Sequence, residues 1–195
     1  MSSQAYTRFD RKLEDVQSLL DIHKNITRNG TGKRVSEFRV LNKSAIVLLV
    51  ASWETYVESL LEESVLFLLE KRFAGTPSQN QHSILQDLLR ISVQKEVKRL
   101  HTPKSDAVKT LFASILGIQN VRKVWGKDAQ KSEAAANALD ALLEMRHRIV
   151  HGAPSDPEFT KTHVISYRQF LRNIVRKTDD ETKKHLLFLT GSNPW

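Results

Sequence analysis

The fold is decided by residues 45–60, which read AIVLLVASWETYVESL. Residues 45–51 are apolar at every position, and a helix that is apolar on all sides is usually surrounded by other elements. From Trp53 onward the apolar side chains keep to one helical face, and glutamates occupy the other. The pattern predicts one long helix, Val35–Phe73, that runs through the centre of the fold and is closed by Gly75 and Pro77.

Helical spacing of apolar residues also predicts helices on both sides of this segment. Their expected bounds are 6–26, 83–100, 106–116, 131–151 and 162–177, with a turn or short helix at 117–127. The stripe that defines the helix 83–100 consists of Ile84, Leu85, Leu88, Leu89, Val93, Val97 and Leu100. Either Ser105 or Asp106 is expected to cap the helix 106–116. We therefore expect one all-α domain, residues 1–195, with five to seven helices and a loosely packed tail at 178–195.

Composition limits the classes of function. The chain has no cysteine, which excludes disulfides, thiol nucleophiles and thiolate metal sites. No apolar run approaches the length of about 20 residues that a membrane span needs, and the first ten residues lack the apolar core of a signal peptide. We expect a soluble cytoplasmic protein. The net charge of +8 suits a polyanionic partner, although many basic proteins bind no nucleic acid.

The densest group of chemically useful side chains lies in residues 145–152, MRHRIVHG. Arg146 can hold a phosphate through two parallel hydrogen bonds, and His151 can transfer protons. Five helical steps separate the two residues by about 140° around the axis. They can therefore meet on one ligand only if the last turn is distorted, as Gly152 and Pro154 would allow, or if a second subunit contributes. Basic residues at a helix C-terminus also occur simply because they complement the helix dipole.

The segment from Arg146 to His151 resembles the signature of the HEPN superfamily: an arginine, a polar residue, three variable residues and a histidine. Residues 45–60 resemble the long early helix of the RiboL-PSP branch, in which an apolar run leads into a Trp-Glu-aromatic core. The resemblance covers roughly residues 35–175. It implies a helical bundle that forms a homodimer, a shared cleft with two Arg-His motifs, and metal-independent endoribonuclease activity without a cofactor. It also implies a role as a toxin or an antiviral-defence effector.

In this resemblance Glu54 is the third member of the site and orients Arg146 or a histidine. The alternative is a surface glutamate in a row with Glu58 and Glu62. His147 either contacts phosphate or faces solvent. Trp53 and Tyr56 are expected in the core rather than as stacking platforms for bases.

Other chemistries fit less well. His147 and His151 have the spacing of zinc ligands on a helix, but Arg148 stands where a zinc protease has its glutamate, and no third ligand is evident. The glycines near residue 30 belong to no phosphate-binding loop, and nothing marks a serine nucleophile. The basic residues in the stretch 95–109 form either a solvated face, which we favour, or a track for RNA phosphates. The residues assigned to RNA binding are Arg148, Lys95, Lys98 and Arg99.

Three hypotheses follow from the sequence. The first is a homodimeric RNA endonuclease in which His151 transfers protons, Arg146 stabilises the transition state, and Glu54 and His147 support them. The second is a catalytically silent helical module that binds nucleotide, nucleic acid or protein. The third is a toxin-like subunit that a separate antitoxin or defence-system partner holds inactive.

Overall fold

The computed structural model describes residues 1–29, 35–73, 79–99, 103–152 and 160–195. Within these ranges every long element is a helix and no strand occurs, so the all-α prediction is confirmed. The α-helices are α1 (Gln4–Asn29), α2 (Val35–Phe73), α3 (Gln79–Arg99), α4 (Ser105–Leu111), α5 (Ala129–His151) and α6 (Lys161–Thr190). A π-helical turn, Phe112–Leu116, extends α4, and a 3-10 turn, Val121–Val124, precedes α5.

The central helix α2 packs against α1, α3, α5 and α6. Its apolar face is fully buried at Trp53 and nearly so at Tyr56. The Trp53 indole N–H donates to the Pro103 carbonyl at 3.3 Å, and the Tyr56 hydroxyl donates to the Val175 carbonyl at 3.0 Å. Both rings are therefore core residues, as predicted. The apolar run is not buried on every side, because the side chain of Leu48 remains 38% exposed.

The glutamates on the other face of α2 tie neighbouring helices to it. The Glu63 carboxylate accepts hydrogen bonds from the backbone N–H groups of Gln4 and Ala5, each at 3.0 Å. These N–H groups belong to the first turn of α1, which has no intrahelical acceptor for them and carries a partial positive charge. Glu62 pairs with Arg90 of α3. Glu62 and Glu63 thus stabilise the packing of α3 and α1 against α2.

The structure corrects the predicted core stripe of α3. This helix begins four residues earlier than expected, at Gln79. Val93 is buried as predicted, but Ile84 and Leu88 are 61% and 59% exposed. The side chains of Leu85 and Val97 and the whole of Leu100 lie outside the described residues. Helical spacing identified an apolar face correctly, but only tertiary packing decides whether such a face finds a partner.

The first turn of α4 is hydrogen-bonded by a side chain of α5 and not by a capping residue of α4 itself. Ser105 is the first helical residue, and the residue before it, Lys104, provides no side-chain cap. The Asp140 carboxylate of α5 instead accepts from the N–H and the hydroxyl of Ser105, both at 2.8 Å. The expected cap by Ser105 or Asp106 was therefore wrong, because a long-range acceptor satisfies this helix end.

The last helix is longer than predicted. α6 continues past Lys177 to Thr190, and its second half is packed rather than loose. Thr178, Asp179, Thr182 and Leu186 are all buried there. Asp179 accepts from the N–H and the hydroxyl of Ser3, and these bonds join the end of the chain to its beginning. Burial raises the pKa of Asp179 although the Ser3 hydrogen bonds oppose the rise. These buried polar side chains weaken the apolar period by which a helix is recognised in sequence.

Helix α2 is also the one segment of the described chain that passes a length-and-composition test for a membrane span, over Phe38–Lys71. In its most apolar window, 56% of the residues are buried inside the fold. A buried core helix passes the same test, so this finding is weak evidence for a span.

We expect Asp140→Ala to lower the free energy of unfolding by about 1–3 kcal/mol, because the Ser105 N–H would lose its acceptor in a largely buried place. Urea unfolding followed by circular dichroism measures the change. Glu144→Ala, at an exposed position on the same helix, is the matched control and should stay within about 0.5 kcal/mol of the native chain. Equal stability of the two variants would contradict this role for Asp140.

Candidate functional site

Helix α5 carries the Arg-His segment and is well defined at both ends. Its first turn is capped by Asp128, whose side chain accepts from the Lys131 N–H at 2.8 Å. It ends at His151, followed by Gly152 in the left-handed conformation with φ of 66°. The helix is continuous between these points, so the last turn before His151 is regular. The distorted helix end that could have united Arg146 with His151 is therefore absent.

Arg146 continues the buried face of α5. This face consists of Leu139, Leu142 and Leu143. Arg146 lies four residues after Leu142 and three after Leu143, so it lies on the same helical face. The Arg146 side chain is half-buried and acts electrostatically on Glu54 of α2. The predicted arginine and the predicted acidic residue thus lie within electrostatic range of each other.

Glu54 lies in an environment that disfavours its charged form. Its side chain is half-buried, and its Oε1 atom is buried without a hydrogen-bond partner. Loss of solvent raises the pKa of Glu54, the guanidinium of Arg146 lowers it, and the net effect is a raised pKa. A carboxyl group in this state can accept a proton or a hydrogen bond from a ligand that enters beside Arg146. Glu58 and Glu62 of the same row are also half-buried, so what distinguishes Glu54 is its buried oxygen without a partner and its raised pKa.

The two histidines form a separate pair on the exposed side of α5. The rings of His147 and His151 lie 4.4 Å apart between centroids and are tilted by 44°. Both side chains are exposed. The predicted divergence of about 140° between Arg146 and His151 on an ideal helix therefore persists within one chain.

The basic residues assigned to RNA binding are spread over two helices. Arg148 is half-buried, and its Nε atom is buried without a hydrogen-bond partner. Its position near the end of α5 did not predict this burial. Lys95 is exposed on α3, which packs against α2. The side chains of Lys98 and Arg99 lie outside the described residues.

Comparison with known families identifies the chain. The family model RiboL-PSP-HEPN matches residues 10–184, which is most of the sequence. The chain belongs to the RiboL-PSP-HEPN family. The match extends beyond the range of 35–175 that the resemblance covered, and it includes most of α1 and most of α6. Neither the curated proteins nor the solved structures include a significant match.

Membership in this family indicates a nuclease or an RNA-binding helical module. Both segments that carry the resemblance, 45–60 and 146–151, fall inside the matched range. The roles of Arg146, His151, Glu54 and His147 remain predictions, which their positions on α2 and α5 help to refine.

We expect Glu54→Gln to flatten the dependence of stability on pH. The pKa of Glu54 in the folded chain lies above its ordinary value of 4.5. As the pH rises from 4.5, the unfolded chain therefore loses this proton before the folded chain does, and the free energy of unfolding falls. The stability that the protonated form provides is complete below pH 4.5, and it is lost as the pH rises through the raised pKa of the folded chain.

Glutamine cannot ionise, so the variant should be at least as stable as the native chain at neutral pH. Urea unfolding across the range from acid to neutral pH tests this expectation. Glu58→Gln, at a half-buried position one turn along α2, is the control. A Glu54→Gln chain that is clearly less stable at neutral pH than the control would show that the carboxylate is stabilising instead.

Proposed function

We propose that the chain is a metal-independent endoribonuclease that cleaves single-stranded RNA. The observation that carries the proposal is the half-buried Glu54 of α2, which has one buried, unpartnered carboxyl oxygen and lies within electrostatic range of Arg146 on α5. A charged guanidinium beside a carboxyl group of raised pKa is a combination typical of catalytic sites. The adjacent pair of exposed histidines adds groups that can transfer protons.

The reaction uses the 2′-hydroxyl of the RNA as its nucleophile. The 2′-oxygen forms a bond to phosphorus as its proton passes to a general base, and the bond from phosphorus to the 5′-oxygen breaks. That leaving oxygen takes a proton from a general acid, so the products are a 2′,3′-cyclic phosphate and a free 5′-hydroxyl. Arg146 stabilises the charge on the phosphoryl oxygens. His151 acts as general acid or base, with Glu54 and His147 in support.

This assignment requires two copies of the chain. On one continuous helix Arg146 continues the buried face whereas His151 is exposed to solvent, so the two side chains of one chain point in different directions. In a dimer with twofold symmetry, the Arg146 of one copy can meet the His151 of the other. The net charge of +8 helps such a cleft to attract RNA. A role as a cytoplasmic toxin or antiviral-defence effector, controlled by an antitoxin or defence partner, belongs to the same proposal.

We expect the purified chain to cleave labelled single-stranded RNA in excess EDTA. Arg146→Ala and His151→Ala should each reduce the rate by about a hundredfold or more, because each removes a transition-state contact or a proton-transfer group. Lys127→Ala, at an exposed basic position away from the motif, is the control for charge. Cleavage that EDTA abolishes, or that survives in both variants, would contradict the mechanism.

We expect activity to return when the two inactive variants are mixed. A mixed dimer has one site with both native residues and one with neither, so random exchange should restore up to about a quarter of the native rate. Light scattering should show a species of about twice the 22.3 kDa chain mass. A purely monomeric chain, or a mixture that stays inactive although its subunits exchange, would rule out the shared site.

The second candidate is a silent helical module that binds RNA, nucleotide or protein. The separation of Arg146 from His151 within one chain favours it if the chain does not dimerise. Intact RNA with retained binding in a gel-shift assay would support this candidate. Toxicity on expression that a neighbouring gene product relieves would instead support the toxin hypothesis.

A further inference from the structure

The paired histidines of α5 have the geometry of a chelating site. His147 and His151 are one helical turn apart, their ring centroids are separated by 4.4 Å, and both rings are accessible to solvent. The helix is continuous through both residues, so their spacing is set by the backbone before any ligand arrives. Preorganised ligands lose little conformational freedom on binding, which favours capture of an ion.

We propose that His147 and His151 bind a transition-metal dication with a preference for imidazole, such as Cu²⁺, Ni²⁺ or Zn²⁺. Two histidines four residues apart on one helical face are the ligand pair that zinc proteases use. Their nitrogens can approach one ion at the usual bond length of about 2.0–2.1 Å after small rotations of the side chains. For such a nitrogen site, Cu²⁺ binds most tightly and Ni²⁺ and Zn²⁺ bind less tightly.

The surroundings limit the affinity but do not prevent binding. Within the described part of the chain, no group of three or more metal-binding side chains occurs, so water completes the coordination. Arg148 lies between the two histidines in sequence and repels a dication. Because the histidine rings are exposed, however, solvent and salt screen this repulsion. The sequence argument against a zinc protease therefore does not exclude a weaker, two-ligand site.

Metal at this position would switch the proposed nuclease off, a consequence that rests on the proposed function. A ring nitrogen of His151 that is bonded to a metal has no lone pair for accepting the proton of the 2′-hydroxyl. The same nitrogen carries no proton for the leaving 5′-oxygen. A nuclease that needs no metal would thus be inhibited by one, and a chelator would restore its activity.

Binding is tested first, without reference to RNA. The untagged full-length chain is titrated with CuCl₂, NiCl₂ and ZnCl₂ by calorimetry in a buffer that does not coordinate metals. We expect one ion per chain, with His147→Ala and His151→Ala each weakening binding by about tenfold or more. Arg148→Ala should strengthen it. His163→Ala is the control, because His163 is an exposed histidine on a different helix, α6. Unchanged affinity in His147→Ala would overturn the site.

The RNA assay then separates this proposal from the previous one. Zn²⁺ should inhibit cleavage over the concentration range in which it binds, and EDTA should reverse the inhibition. Metal binding without any RNA cleavage would support the histidine site and contradict the nuclease. Cleavage by a chain that binds no metal would support the nuclease and overturn the histidine site.

Discussion

The structure depends on the burial of Trp53 at the centre of the bundle. Its indole ring is fully buried, meets the edge of Trp125, and donates a hydrogen bond to the Pro103 carbonyl. A large aromatic side chain held at several points fixes the rotation of its helix. Glu54 is the next residue, so the packing of Trp53 also sets the direction in which the Glu54 side chain projects from α2. The electrostatic interaction between Glu54 and Arg146 follows from that rotation.

The burial of Glu54 carries a cost to the fold. A carboxyl oxygen that is buried without a partner is unfavourable, and the buried Nε atom of Arg148 adds a second such group on α5. Such groups are expected where binding or catalysis is favoured over stability, but they are not confined to α2 and α5, because Asn120 and Arg168 also have a buried side-chain atom without a hydrogen-bond partner. By contrast, the polar groups that only hold the fold together, such as Asp140 and Glu63, have their partners.

Prediction from sequence succeeded where the apolar pattern was continuous. The bounds of α2 were predicted correctly, and α5 begins only two residues earlier than expected. It failed for α6, where buried polar residues such as Asp179 interrupt the apolar stripe. It also failed for α3, whose Ile84 and Leu88 are exposed instead of packed in the core. In both cases a contact between distant residues, or the lack of one, outweighed the local signal.

The sequence alone determined that the chain is helical, that α2 is central, and that Arg146 and His151 point in different directions on one helix. These properties depend on helical geometry and the order of residues, which are local. Only the tertiary structure decided that Arg146 interacts electrostatically with Glu54 and that the rings of His147 and His151 lie together in solvent. Those outcomes depend on which faces of α2 and α5 pack together. That choice is made by the burial of side chains about ninety residues apart, which no local pattern specifies.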